Sequence, residues 1–169
     1  MMAEMGKLNE NHKLLAELVG EWSYTVKMWM APGAPPAEWK GTATRKAEMG
    51  GRYFTSQARG KIQMPGANGK IEDMDFTGMS TEGYDNAKKK FFSTWIDSMG
   101  TGVMLAEGTY DAGWKTFTYH ADYDVAPGVT MKVRETIKVT DKDHHLMEYF
   151  EKRGGQEVKT MEIAYTRKK

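Results

Sequence analysis

Charged side chains on otherwise apolar strand faces are the residues in this sequence whose chemistry could serve a function. Arg45, Glu107 and Glu135 each share a two-residue period with apolar neighbours. If those faces point inward, the charges must be paired, because burying a lone charge is costly. Two interpretations are open: an internal ion-pair network that stabilises the fold, or an Arg45 that anchors the anionic group of a ligand. The same pattern would arise if one of these faces pointed to solvent.

Asp97 is a further candidate for acid–base chemistry or ligand contact. It alternates with Trp95 and Phe91, whereas Phe92 and Ile96 occupy the opposite face of the same segment. The segment is therefore apolar on both faces, and the pattern does not decide which set points inward. Asp97 also precedes a glycine-containing turn, so its alternative role is to cap that turn by a local hydrogen bond.

The four histidines do not form a metal-ligand pattern, and the chain has no cysteine. His144 and His145 are adjacent on a predicted strand, so they face opposite ways. His120 alternates with polar residues, so we expect it to face solvent. His12 is expected to pack or cap a helix start. No phosphate-binding loop or nucleophile motif occurs, and the sequence predicts no metal and no cofactor.

One helix and about ten strands must position these residues. An apolar stripe after Asn9 predicts a helix over about 9–19, ended by Gly20. From Trp22 onward the apolar period changes to two, which is typical of strands. The predicted strands cover 21–31, 37–49, 52–64, 70–84, 88–98, 102–110, 114–124, 129–140, 144–152 and 156–168.

A sheet of this length would leave two long exposed edges unless it closed on itself. The sequence therefore predicts an all-β fold: an antiparallel up-and-down β-barrel of about ten strands over about 21–168, with one short N-terminal helix. A β-sandwich is the alternative. All five prolines fall in alternate loops, which lie at one end of such a barrel. We expect that end to be the mouth.

Length and charge limit the classes of function. The 169 residues fit a single domain, 1–169, and the net charge is +1. This balance gives no electrostatic reason to expect nucleic acid or a membrane as a partner. The first residues lack the apolar segment of a signal peptide, so a cytoplasmic location is expected. Either a monomer or a homodimer is compatible with the sequence.

The start of the first strand resembles that of lipocalins and related barrels. Gly20-Glu21-Trp22 follows the helix, as in the G-x-W arrangement of those proteins. The resemblance implies that Trp22 lies at the closed end and that a basic residue of the last strand packs on its ring. Arg167 has the matching position, and a guanidinium over an indole contributes about 0.5–2 kcal/mol.

A closer resemblance covers nearly the whole chain. The segments that carry it are His12–Leu15 with Leu18–Trp22, Gly83–Asn86, Thr94–Asp97 with Met99–Gly102, Glu107–Asp111, Lys132–Glu135 and Met161–Arg167. In these segments the chain resembles DUF1579, a bacterial family of unknown function. This resemblance implies a lipocalin-like barrel and assigns no activity.

We expect a small, partly apolar ligand with a polar or anionic group to bind inside the barrel. The apolar wall would comprise Tyr24, Met28, Trp39, Trp95 and Tyr119. The polar group would be oriented by Arg45 with Glu107 or Glu135, and Asp97 would lie near the mouth. Two alternatives remain: an enzyme that uses Asp97, Glu107 or Glu135 as a base, and a structural or dimerisation scaffold with an apolar outer face.

Overall fold

A computed structural model describes residues 2–169 and shows a closed antiparallel barrel of ten strands, as the sequence predicts. Each strand pairs with its sequence neighbours, and β1 closes the barrel against β10. The helices are α1 (Met2–Met5) and α2 (Glu10–Ala16). The strands are β1 (Gly20–Met28), β2 (Ala37–Glu48), β3 (Tyr53–Pro65), β4 (Ile71–Asp85), β5 (Lys90–Asp97), β6 (Met104–Asp111), β7 (Thr116–Ala126), β8 (Val129–Asp141), β9 (His144–Arg153) and β10 (Gln156–Arg167).

Helix α2 covers one end of the barrel. Its N-cap residue Asn9 accepts a hydrogen bond from the backbone of Asn11, and the ring of His12 accepts one from the Asn9 backbone. Leu15 and Leu18 are almost fully buried in the core below. The helix therefore acts as a hydrophobic plug, and His12 has the capping role expected of it.

Trp22 and Arg167 lie opposite each other on β1 and β10 at this closed end. The guanidinium carbon of Arg167 is 4.2 Å from the centre of the Trp22 ring. Arg167 also donates to the backbone carbonyls of Glu17 and Val19 at 2.8 and 2.6 Å, and Trp22 Nε1 donates to Leu18 at 3.0 Å. Carbonyls that a helix end leaves unpaired are thereby satisfied, and the predicted cation–π contact is confirmed.

The loops at the opposite end are not all long, although all five prolines lie at that end. Residues 29–36 and 98–103 do form extended connections. The β7–β8 and β9–β10 connections, by contrast, are tight turns built on glycines with positive φ, such as Gly128 at 74°. The connections at this end therefore differ in length from one strand pair to the next.

Candidate ligand-binding lumen

Side chains that point into the barrel differ in burial along its length. Near α2 the interior is filled by a cluster that includes Phe54, Phe91 and Phe117, each at most 2% exposed. Toward the other end, inward-facing aromatic and methionine side chains stay half-buried. They include Trp39, Phe76, Trp95, Met104, Tyr123, Met131, Tyr149 and Tyr165. This half-exposed interior, which we call the lumen, opens away from the helix.

Arg45 lies deep in the lumen and forms an ion pair with Glu82. Both side chains are 9% exposed, and the Arg45 Nη2 group donates to Glu82 Oε2. The Ser80 hydroxyl lies 3.4 Å from the other carboxylate oxygen of Glu82. Arg45 thus points inward as expected, but its charge is neutralised by a residue that sequence reasoning did not select.

Glu135 faces the same lumen from β8, between Tyr119 and Tyr149 on the neighbouring strands. Its side chain is half-buried, and burial, together with the nearby charge of Glu82, raises its pKa from 4.5 to about 8. Hydrogen bonds make no contribution to this shift within residues 2–169. Glu135 is therefore mainly a neutral carboxylic acid at pH 7, with surface left toward the lumen.

His145 lies at the boundary between the lumen and the closed end. Its ring meets Trp22 edge-on and stacks on Tyr165, both with ring centres 4.4 Å apart. Burial, with Arg45 and Arg167 nearby, lowers its pKa to about 3. The ring is consequently neutral, and its Nδ1 atom has no hydrogen-bond partner in the described chain.

Tyr119 is 1% exposed and faces inward from β7. Its hydroxyl lacks a hydrogen-bond partner among residues 2–169, and burial raises its pKa well above 10. The charges of Glu82, Arg45 and Glu135 all act on this hydroxyl. Tyr119 therefore belongs to the polar floor of the lumen and is not one of its accessible apolar walls.

Trp95 and Asp97 point inward together, which settles the ambiguous face of β5. Trp95 Nε1 donates to Asp97 Oδ2 at 2.7 Å, and the other carboxylate oxygen accepts from the Met99 backbone at 2.9 Å. The Trp95 ring lies against Gly78, where an added Cβ would come within 2.4 Å of it. Asp97 therefore caps its turn and fixes the Trp95 ring, so both carboxylate oxygens are occupied.

Tyr24, which was expected to line the ligand site, has a structural role in the barrel wall. Its ring crosses the neighbouring strands at Gly41 and Gly60, and its hydroxyl donates to the Arg59 carbonyl at 3.1 Å. A side chain at Gly41 would collide with this ring. The other expected wall residues, Met28 and Trp39, are half-buried and face inward near the mouth.

The prediction for Glu107 is wrong. The β6 residues on either side of Glu107, Ala106 and Gly108, point inward, and Glu107 faces outward, where Lys88 and Lys90 contact it at 2.6 and 3.3 Å. The apolar residues taken as core are the outward ones: Leu105, for example, is 60% exposed. Large aromatic side chains from the neighbouring strands fill the space inside the middle of β6, so small residues stand at positions 106 and 108.

Sequence reasoning missed Glu82, His145, Tyr149 and Tyr165 as lumen residues. Glu82 alternates with Ser80, Gly78 and Phe76, a face too polar and too small to read as core. One signal could have identified Glu82, because a buried Arg45 needs an acidic partner. Glu82 lies on β4, which is separated from β2 by β3 alone.

Two shallow clefts lie away from the lumen floor. One of about 110 Å³ is on the outer wall beside Lys88 and Phe92, and one of about 300 Å³ lies at the rim beside Trp29 and Thr160. The outer one is lined by paired charges and adds no chemistry. The polar lumen therefore remains the candidate site.

Between Met2 and Lys169 the helices are all too short or too polar to cross a membrane. In the same part of the chain, no three acidic, histidine or cysteine side chains converge in a way that could hold a metal ion.

A protein-family model matches residues 7–167, and its description is "Protein of unknown function (DUF1579)". The chain belongs to the DUF1579 family. The family segments have clear structural roles in this DUF1579 barrel: Trp22 and Arg167 close one end, and Asn86 donates to the backbone carbonyls of Met5 and Lys7. No curated protein sequence matches the chain.

Two solved structures share the fold of this DUF1579 chain. Rv2717c from M. tuberculosis is 15% identical, with a TM-score of 0.63 over 96% of this chain and 100% of the other. The S-type phycobiliprotein lyase CPES from Guillardia theta is also 15% identical, with a TM-score of 0.58 over 93% and 92% of the two chains. At this identity the likeness establishes a common lipocalin-like barrel and no common activity.

Proposed function

We propose that this protein binds a small, partly apolar ligand inside the barrel, with the polar group of the ligand at Glu135. The observation that carries the proposal is the Glu135 carboxyl: it lies among lumen side chains, keeps accessible surface and receives no hydrogen bond from the described chain. Folded proteins satisfy most of their buried polar groups. A carboxyl left open to an apolar lumen is therefore suited to orient a ligand.

The walls around Glu135 support an apolar ligand body. Trp95, Tyr149 and Met104 are half-buried, and the Tyr149 hydroxyl lies 3.6 Å from the Met104 sulfur. Methionine and aromatic side chains adapt to varied apolar shapes. Because Arg45 is already paired with Glu82, the polar group of the ligand depends on Glu135 more than on a free positive charge.

Binding of the neutral dye Nile red, whose emission rises in apolar surroundings, tests this proposal. Met104→Trp would fill the lumen, since residue 104 faces Trp95 across β5 and β6. Leu105→Trp, one residue later on the outer wall, is the matched control. We expect at least tenfold weaker dye binding in Met104→Trp and unchanged binding in Leu105→Trp. Equal binding by both variants, or no saturable binding by the unmodified protein, would contradict the proposal.

An enzyme acting within the lumen is the second candidate, and Glu135 is again the residue that favours it. A carboxyl whose pKa is about 8 can donate or accept a proton near neutral pH. Asp97 is occupied by Trp95 and its own turn, and Glu107 is outside. Conversion of a lumen-bound compound that stops in Glu135→Gln, while its binding persists, would identify this activity. Conversion that continues in the variant would exclude Glu135 as the base.

The scaffold alternative would use the outer wall of the barrel. Met79, Ile96 and Leu105 point outward there and are 45–60% exposed. A homodimer through this wall would leave the lumen without a role. Light scattering over a range of protein concentrations tests it: a monomer at all concentrations excludes the scaffold, whereas a dimer disrupted by Leu105→Lys supports it.

A further inference from the structure

The lumen holds the carboxyl groups of Glu82 and Glu135 near a single guanidinium, that of Arg45. Arg45 is committed to Glu82, since Nη2 donates to that carboxylate and both side chains are 9% exposed. Ser80 adds a second contact to Glu82 at 3.4 Å. Glu135 forms no ion pair in the part of the chain that the structure describes, and the Arg45 charge lowers its pKa without offsetting burial and Glu82. A ligand group that pairs with the ionised Glu135 would therefore carry a positive charge.

Glu135 is surrounded by groups that do not supply that charge. The charged and titratable side chains around it are Arg45 on β2, Glu82 on β4, Tyr119 on β7, Tyr149 and Glu151 on β9 and Tyr165 on β10. Burial raises the pKa of each of the three tyrosines, so they remain neutral hydroxyls. Glu151 is held by Arg153 at 2.6 Å at the rim. Only a cation brought from outside would match an ionised Glu135.

The lumen walls also favour a cation over an anion. Trp39, Phe76, Trp95 and Tyr165 present half-buried rings to the interior. The face of an aromatic ring carries negative electrostatic potential, which attracts ammonium groups. An anion entering the lumen would meet these rings, the Glu82 charge and an arginine whose charge is paired with Glu82, although its buried Nε has no hydrogen-bond partner among residues 2–169.

We propose that the ligand is a partly apolar primary amine whose ammonium group pairs with Glu135. This inference rests on the lumen-binding function proposed above and narrows it to one class of ligand. In the pairing step the ammonium keeps its three protons, and the Glu135 carboxyl releases its proton to solvent. The new contact is an ammonium–carboxylate hydrogen bond, and no covalent bond changes.

Proton release gives the proposal a signature that neutral ligands lack. Because the pKa of Glu135 is about 8, amine binding at pH 6–7 must displace a proton. The dissociation constant should then fall about tenfold from pH 6 to pH 7 and level off above pH 8. A neutral ligand would show no such slope, and a carboxylate would bind less well as the pH rises.

Competition against Nile red with octylamine, octanol and octanoate, probes of one chain length, tests the ligand class. We expect octylamine to compete at least tenfold better than the other two at pH 7, with the pH slope described. Glu135→Gln should lose the preference for octylamine and keep the binding of octanol. Glu107→Gln, which removes a carboxylate from the outer wall, should behave like the unmodified protein.

The outcomes separate this inference from the proposed function. Equal competition by the three probes, or a preference for octanoate, would overturn the amine assignment while lumen binding stands. An amine preference that survives Glu135→Gln would also overturn it. Failure of the proposed function is recognised separately, by Nile red binding that Met104→Trp leaves unchanged. The pH slope of the unmodified protein keeps the test decisive even if Glu135→Gln folds poorly.

Discussion

The closed end and the lumen are built from the same ten strands, yet they treat buried polar groups in opposite ways. At the closed end Arg167 contacts the Trp22 ring and the carbonyls of Glu17 and Val19. In the lumen, Glu135 and the Tyr119 hydroxyl receive no hydrogen bond from the described chain. The closed end is therefore a completed structural unit, whereas several polar groups of the lumen lack a hydrogen-bond partner among residues 2–169.

Removing the Arg167 contacts at the closed end should have the largest effect on stability. Arg167→Ala deletes the cation–π contact and the hydrogen bonds to the carbonyls at the end of α2. We expect the free energy of unfolding to fall by about 3 kcal/mol, measured by urea denaturation. Lys132→Ala on the outer wall is the control, since it removes an exposed ion pair with Asp122 worth about 0–1 kcal/mol. Equal losses in the two variants would contradict the contrast between the ends.

Glu135→Gln tests the lumen carboxyl that receives no hydrogen bond from the described chain. The folded protein holds the Glu135 proton up to about pH 8, whereas the unfolded chain releases it near pH 4.5. The free energy of unfolding of the unmodified protein should therefore fall as the pH rises from 4.5 to 8 and then level off. Glutamine does not titrate, so the variant should gain about 3 kcal/mol relative to the unmodified protein between pH 5.5 and pH 8. Parallel pH profiles would show that Glu135 titrates normally.

His145→Phe tests the boundary between the two regions. The folded protein keeps His145 neutral down to about pH 3, whereas the unfolded chain takes up a proton near pH 6.5. Stability should consequently be lost as the pH falls below 6.5, by about 2 kcal/mol at pH 5. Phenylalanine preserves the contacts with Trp22 and Tyr165, and the variant should lose less stability below pH 6.5, as measured by urea denaturation at several pH values. His144→Phe, on the outer face of the same strand, should leave this loss in place.

Strand alternation was enough to predict the barrel and the inward direction of Arg45, and the resemblance to lipocalins added the Trp22–Arg167 contact. It failed at Glu107 because burial was inferred from residue type alone. Leu105 is exposed and Ala106 is buried, since the ring of Phe117 and its neighbours fill the space inside β6. Contacts across strands decide which small residue is covered by an aromatic ring. Those contacts do not appear as a local pattern in a single sequence.

The lumen was harder to predict than the fold for the same reason. The ion pair of Arg45 joins residues on strands that are not adjacent, so neither strand period nor turn chemistry identifies Glu82. The two residues are 37 positions apart in sequence, and the ion pair forms across β3, which lies between their strands. Local signals did suffice for Asp97, whose turn-capping role follows from its position before Met99.

The smallest predicted effect compares two similar turns at opposite ends of the barrel. Asp97 accepts from the Met99 backbone and from Trp95 near the mouth, whereas Asp111 accepts from the Trp114 backbone at 3.0 Å near the closed end. Each Asp→Asn substitution weakens a turn cap by about 0.5–1 kcal/mol, measurable by thermal unfolding. The lumen should respond to one of them alone, because an asparagine at 97 has a single carbonyl oxygen for two donors and releases the Trp95 ring.

Nile red should therefore bind severalfold more weakly to Asp97→Asn and unchanged to Asp111→Asn, although the two variants lose similar stability. Trp114 is 72% exposed and its ring has no lumen contact to lose. If both variants weakened dye binding equally, general loosening of the barrel would explain the result. A selective effect of Asp97→Asn would instead show that this carboxylate serves the lumen by holding one aromatic wall in place.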